Sequence, residues 1–112
     1  MGTNALLSAL GAASDTAAGY NALYFNTTGS ANTAVGSFAL YSNTQGSYNT
    51  VMGSSSLSSN TTGNGNSAFG NETLTNNTTG FYNTGIGTYV LTYSTGNYNT
   101  ATGASSLFAN TT

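Results

Sequence analysis

Large apolar residues return along this chain at a fixed interval of about 17 residues, each time beside the same polar neighbours. Leucine marks the interval most clearly, at Leu6, Leu23, Leu40, Leu57, Leu74, Leu91 and Leu107. A second column holds Asp15, Asn32, Asn49, Asn66, Asn83 and Asn99, spaced by 17 residues four times and by 16 once. Because self-similarity at a fixed period is the mark of a repeat architecture, we interpret the chain as one tandem array.

Two glycine columns divide each unit into short segments. They are Gly19, Gly36, Gly53, Gly70, Gly87 and Gly103, and then Gly29, Gly46, Gly63, Gly80 and Gly96. The unit reads N-T-A-(V)-G-x-x-A-L-x-x-N-T-T-G-x-Y, which is too short for the two helices of a helical solenoid repeat and too rich in glycine for a stable helix. Short strands joined by Gly and Asn turns fit better. The sequence therefore predicts an all-β fold, a β-solenoid or β-roll of about six to seven coils.

The columns predict which side chains face the interior. We expect the leucines to point inward together with the residue before the first glycine, which is Ala18, Val35, Met52, Phe69, Ile86 or Thr102. Stacked at the spacing of neighbouring strands, about 4.8 Å, they would form two apolar ladders. The column of Asn26, Asn43, Asn60, Asn77 and Asn110 suits turns, where the amides bond local backbone or the Asn of the next coil. The glycines provide the positive φ that sharp corners need.

A core of about two large apolar residues per coil is thin for the 17 residues that each coil must order. We therefore expect further burial through self-association, either as a homotrimer of chains side by side or as a head-to-tail filament.

The two ends differ from the middle of the array. Residues 1–14 are read as an apolar capping or packing coil, and residues 15–112 as the array, with units starting near 15, 32, 49, 66, 83 and 99. The apolar run from Ala5 to Ala13 has a second reading as the h-region of a secretory signal, although no basic residue precedes it. The last unit stops without a cap, so we expect a continuing chain or a stacked subunit there.

Composition excludes several classes of function. The chain has no Lys, Arg, His, Cys, Pro or Trp, and its only charged side chains are Asp15 and Glu72, for a net charge of −2. Without cations there is nothing to neutralise nucleic-acid phosphates or anionic lipid, and no apolar run is long enough for membrane insertion. Such a polar composition also fits disorder, but 12% aromatic residues and apolar residues in fixed phase favour a folded array.

The segment Asn32-Thr33-Ala34-Val35-Gly36-Ser37-Phe38-Ala39-Leu40 resembles repeats of bacteriophage tail-fibre proteins, where such arrays lie upstream of a C-terminal chaperone domain. It is also similar to the shorter head repeats of trimeric autotransporter adhesins, whose S-x-A-x-G-x-x-A pattern builds a trimeric left-handed β-roll. The resemblance extends over nearly the whole chain, although this sequence contains no membrane anchor, stalk heptad or chaperone domain. It implies an elongated, homo-oligomeric fibre that is extracellular or part of a virion, and it identifies no receptor.

No catalytic, cofactor-binding or metal-ligating residue is assigned, and we expect a structural protein rather than an enzyme. Nucleophilic and acid–base catalysis lack a His, Lys or Cys. The two carboxylates are too few for calcium. Asp15 is interpreted as an Asn substitute at a turn, and Glu72 as a solvated side chain beside Ser55 and Tyr89.

Two alternative functions remain open. The rank Thr16, Thr33, Thr50, Thr84 and Thr100 would suit an ice-binding β-solenoid, although the usual T-x-T doublet is missing. Binding of surface glycans or a receptor, as in an adhesin segment, is the other, and Tyr48, Tyr82 and Tyr98 share one phase that could pack between chains or contact sugars. Sequons for N-glycosylation begin at Asn26, Asn60, Asn71, Asn76, Asn77 and Asn110, but chance matches are frequent in so Asn- and Thr-rich a chain.

Overall fold

The computed structural model describes residues 2–7, 10–11 and 14–111, and it confirms the predicted all-β solenoid. Six strands of three residues each form one parallel sheet in the order of the chain. They are β1 (Thr16–Ala18), β2 (Thr33–Val35), β3 (Thr50–Met52), β4 (Ser67–Phe69), β5 (Thr84–Ile86) and β6 (Thr100–Thr102). The described residues contain no helix.

The register shows that one sequence unit makes one turn of the solenoid. Thr33 pairs with Thr50, one unit of 17 residues later, and Thr84 pairs with Thr100 across the unit of 16. From the first strand to the last, the chain therefore makes about five turns. Each strand lies in one coil, so the six strands belong to six coils, against the six to seven that the sequence predicted. We number the coils one to six, from residues 15, 32, 49, 66, 83 and 99, and the whole measures 34 × 21 × 16 Å.

Hydrogen bonds between neighbouring coils continue beyond the short strands. The N–H of Leu57 donates to the carbonyl of Thr73 at 2.9 Å, and the N–H of Ser59 donates to that of Thr75 at 3.2 Å. On the other side of the same turn the N–H of Glu72 donates back to Ser54 at 3.0 Å. Backbone hydrogen bonds thus join each coil to its neighbour along most of its circumference. They fix the rise per coil near the strand spacing of about 4.8 Å.

Left-handed backbone at residues other than glycine closes each turn. Leu57 has φ 50° and Ser55 has φ 55°, and the corresponding residues of the other coils share this conformation. Such φ values cost about 1–2 kcal/mol for an ordinary L-residue and persist where surrounding contacts enforce them. Here the inter-coil hydrogen bonds on either side of the leucine supply that enforcement.

The two glycine columns are needed for different reasons. Gly53, in the first column, has φ 150° as expected for a corner. Gly63, in the second column, does not have positive φ, but a Cβ there would overlap the backbone oxygen of the next coil and the side-chain oxygen of Asn60. The second column therefore serves close approach between coils.

The interior confirms one predicted apolar column and corrects the other. The leucines from Leu23 to Leu91 are fully buried, whereas Leu107 in the last coil is 47% exposed, contrary to the prediction for that coil. The residue before the first glycine points outward instead, since Met52 is 47% and Ile86 46% exposed. The buried strand position is the middle one, occupied by Ala17, Ala34, Val51, Ala68, Gly85 and Ala101.

The reason for this correction is the burial of the asparagine that precedes each strand. Asn49 is fully buried, and side chains alternate along a strand. Val51 is therefore inside, while Thr50 and Met52 are outside. The sequence analysis predicted that the residue before the first glycine is the inner one. That prediction is wrong by one residue along the strand.

The segment before coil one follows the repeat where it is described. Leu6 has φ 55°, packs against the core and donates its N–H to the carbonyl of Ala22 at 3.1 Å. Leu7 and Leu10 are exposed. Residues 1, 8, 9, 12 and 13 of the predicted cap lie outside the described residues, so the boundary at residue 14 stays a prediction.

Asparagine ladders and candidate functional surfaces

One buried ladder of side-chain amides runs through the turns; we call Asn26, Asn43, Asn60 and Asn77 the turn ladder. Each Nδ2 donates to the Oδ1 of the preceding member, at 2.9, 2.8 and 3.4 Å in chain order. Each Nδ2 also donates to the carbonyl of the glycine three residues later, for example Asn60 to Gly63 at 3.0 Å. These contacts confirm the prediction that the amides bond both the local backbone and the asparagine of the neighbouring coil.

A second ladder lies beside the strands; we call Asp15, Asn32, Asn49, Asn66, Asn83 and Asn99 the strand ladder. Asn49 donates Nδ2 to Asn32 Oδ1 at 3.1 Å and to the carbonyl of Gly63 at 2.9 Å. Its own Oδ1 accepts the N–H of Asn66 at 2.9 Å and Nδ2 of Asn66 at 3.2 Å. The sequence predicts a turn for the first member, Asp15, and gives no sign of the buried role that the column has beside the strands.

The direction of the strand ladder explains why an aspartate fits at Asp15. Between coils, Asn49, Asn66 and Asn83 donate Nδ2 to the preceding member of the ladder, so the first described member has only to accept. Asp15 accepts the N–H of Asn32 and Nδ2 of Asn26, both at 2.7 Å. Partial burial raises the pKa of the Asp15 carboxyl, and these hydrogen bonds oppose that shift without cancelling it.

The other carboxylate, Glu72, is half-buried and lies in the column of left-handed residues that also holds the half-buried Ser55 and the exposed Tyr89. No described cluster of three or more His, Cys, Asp or Glu side chains could hold a metal ion. No pocket of ligand size is found in the described part of the chain either. Its candidate functional features are therefore surfaces rather than pockets.

The outward residues of the six strands form a flat, uncharged surface, which we call the outer sheet face. One rank is the threonine rank, with Ser67 in its fourth place, and it is exposed or half-buried throughout. The other rank is Ala18, Val35, Met52, Phe69, Ile86 and Thr102. Among the six strands, only β6 has a T-x-T doublet, Thr100 and Thr102, which the sequence analysis overlooked. Bulky apolar side chains occupy the second rank in the central strands.

Aromatic side chains group on the surface away from the strands. Tyr82 and Tyr98 stack with ring centroids 5.6 Å apart and planes 20° apart, and Phe81 meets both edge-on. The ring of Tyr82 lies over Gly65, where a Cβ would come within 2.6 Å of it. A five-ring cluster lies in coils one and two: Tyr20, Tyr24, Phe25, Phe38 and Tyr41.

The buried ladders bear on the glycosylation sequons. Asn26, Asn60 and Asn77 are fully buried, and their Nδ2 atoms donate within the turn ladder. A glycan on any of these nitrogens would break the ladder, so the folded chain disfavours modification there. Asn71 and Asn76 are only half-buried.

Comparison of this chain with protein-family models, with curated proteins and with solved structures finds no match. Among residues 2–7, 10–11 and 14–111 there is no helix with the length and hydropathy that a membrane span requires.

Proposed function

We propose that this protein is a passive structural rod, a shaft segment of an extracellular fibre or filament, and that it has no catalytic role. The observation that carries the proposal is the continuity of its inter-coil bonding. Backbone bonds, the turn ladder and the strand ladder join successive coils at three places around each turn. Bending the rod would stretch several of these bonds together, which is a physical source of stiffness.

The proposed rod associates with copies of itself through the outer sheet face. Supporting this is an inversion of side-chain size across the sheet. The inner positions hold Ala, Val or Gly, whereas the outer rank holds residues as large as Met52, Phe69 and Ile86. Burial of the strand-ladder asparagines decides which side of each strand is inside, and the large apolar side chains left outside would be stabilised by being covered. The inversion favours an outer face that is covered in the assembly.

A second copy of this chain is the occupant that fits the face best. The outer rank repeats with every coil, so a partner must present side chains at the same rise of about 4.8 Å to pack along its length. A second copy of this chain presents its side chains at that rise because it has the same repeat. The outer sheet face carries no charged side chain, so two copies meet without repulsion or an unpaired buried charge. This favours chains side by side, as in the homotrimer, over end stacking.

Sedimentation velocity over a range of protein concentrations tests the association. We expect the chain to assemble, and Met52→Glu together with Ile86→Glu to shift it to monomers, because the face would then bury carboxylates. Ser54→Glu with Thr88→Glu is the matched control, since both residues are exposed in the same coils but lie off the face. A monomer at every concentration, or equal effects of the two pairs, would refute lateral association.

Electron microscopy of the same material tests the rod itself. Straight, unbranched particles whose length matches the stacked coils support the shaft, whereas flexible or collapsed chains refute it.

Ice binding is the second candidate, because the threonine rank lies in register on the outer sheet face. Dispersed monomers with thermal hysteresis would favour ice binding over the fibre. The bulky neighbours of the central threonines weigh against it, since they interrupt a flat rank.

A further inference from the structure

Coil five departs from the repeat at one place inside the solenoid. It is one residue shorter than each of the four coils before it, and the residue at the position of the turn ladder is Ser94 rather than asparagine. The N–H of Ser94 donates to the carbonyl of Leu91 at 3.1 Å, as the N–H of Asn77 does to that of Leu74 at the same distance. Ser94 therefore occupies the ladder position in the backbone, but it brings a shorter side chain.

Two buried polar atoms lack partners at this place. Asn77 Oδ1 and Ser94 Oγ are both buried and have no hydrogen bond, and among the described residues only one other side-chain atom, Asn21 Oδ1, is in that condition. In the coils before, the same amide oxygen accepts Nδ2 of the next asparagine, at 2.9 Å on Asn26 and 2.8 Å on Asn43. The ladder thus ends on an acceptor that needs a donor.

The side chains around Asn77 Oδ1 limit which molecule could donate a hydrogen bond to it. The Ser94 hydroxyl is one bond closer to the backbone than an asparagine Nδ2, and it makes no hydrogen bond to the preceding amide. No pocket of ligand size is found among the described residues, and the smallest donor that could serve both side chains is one water molecule. A metal cation would need more oxygen ligands than two neutral side-chain atoms provide.

We propose that one internal water molecule is bound in coil five between Asn77 and Ser94 and continues the turn ladder. One of its O–H groups donates to Asn77 Oδ1, the acceptor that the missing asparagine would have served. The Ser94 hydroxyl donates to the water oxygen, so that both buried side chains are satisfied. Such a water is held by polar partners on both sides and exchanges with solvent only when coils four and five separate.

Two measurements on the intact chain test the site. A crystal structure that resolves ordered solvent should show one water within hydrogen-bond distance of Asn77 Oδ1 and Ser94 Oγ. Oxygen-17 magnetic relaxation dispersion should detect a long-lived internal water in solution, and Ser94→Asn should remove one such water per chain while extending the amide ladder directly.

Ser59→Asn is the matched control, because it adds the same amide at a half-buried position of coil three that is outside the ladder. It should leave the number of long-lived waters unchanged. The proposal is overturned if Asn77 Oδ1 and Ser94 Oγ bond each other directly with no density between them. It is also overturned if Ser94→Asn leaves the dispersion unchanged. Should Ser94→Asn fail to fold, the unmodified chain's crystal structure decides the matter alone.

Discussion

Removing one amide from the middle of the strand ladder is the sharpest test of what holds the coils together. Asn49→Ala deletes the donor to Asn32 and Gly63 and the acceptor for Asn66. Asn32 Oδ1 still accepts the backbone N–H of residue 49, at 3.0 Å, and Gly63 keeps Nδ2 of Asn60. The buried N–H of Asn66 loses the acceptor that the ladder gives it.

The hydrogen bonds lost in Asn49→Ala set the expected loss in the free energy of unfolding. A stranded buried donor costs about 1–3 kcal/mol, and each of the three other lost hydrogen bonds contributes about 0.5–1 kcal/mol. We therefore expect Asn49→Ala to lower the free energy of unfolding by about 4 kcal/mol, a large share of what a domain of this size has. Asn64→Ala is the matched control, since Asn64 is exposed and its Oδ1 accepts only the N–H of Ser47. Its effect should stay below about 1 kcal/mol.

Urea unfolding followed by circular dichroism gives the two free energies, and native-state hydrogen exchange reads the Asn66 amide directly. Faster exchange at Asn66, larger than at amides of distant coils, is the expected signature. A loss below 1 kcal/mol for Asn49→Ala, or unchanged protection of the Asn66 amide, would show that the ladder follows the fold rather than stabilising it.

Three further outcomes are expected. Leu57→Ala should lower the free energy of unfolding in urea by about 2–5 kcal/mol, because it leaves a cavity at a fully buried site. Ser58→Ala, at the next position, should change it by less than about 0.5 kcal/mol. Gly63→Ala should destabilise strongly in thermal unfolding because its Cβ overlaps the backbone of the next coil, while Gly11→Ala, whose Cβ meets nothing closer than 3.8 Å, should be tolerated. The raised pKa of Asp15 means that the folded state binds more protons than the unfolded state between the ordinary value of 3.8 and the folded value. The free energy of unfolding should therefore rise as pH falls through that window, and Asp15→Asn should abolish this dependence in urea titrations at several pH values.

Residues such as Leu57 show how far the linear pattern reaches. A column of leucines at a constant interval predicts that each returns to the same face of the same coil, and the absence of a helical period predicts strands and turns. Both inferences need only the spacing, and the fold bears them out. The turn ladder was also within reach, because asparagines spaced by one coil are placed to pair.

Met52 and Val51 show where the pattern stops. The repeat places both at constant phase, and side-chain size alone ranks Met52 as the inner residue. Asn49 decides otherwise, because its buried amide makes three hydrogen bonds with neighbouring coils and one with Gly63 of its own coil. Keeping this amide inside sets the alternation of the strand that follows it. No local feature of the sequence reveals those partners.

By itself, then, the sequence determined the period, the class of fold and the buried leucines, because a repeat imposes the same environment on every copy whatever that environment is. The tertiary structure alone decided which side of each strand is the inside, why leucine adopts left-handed backbone, and where the ladder is interrupted at Ser94. These depend on which polar groups come within hydrogen-bond distance once coils stack, and burial of an amide is favourable only when its partners are already there.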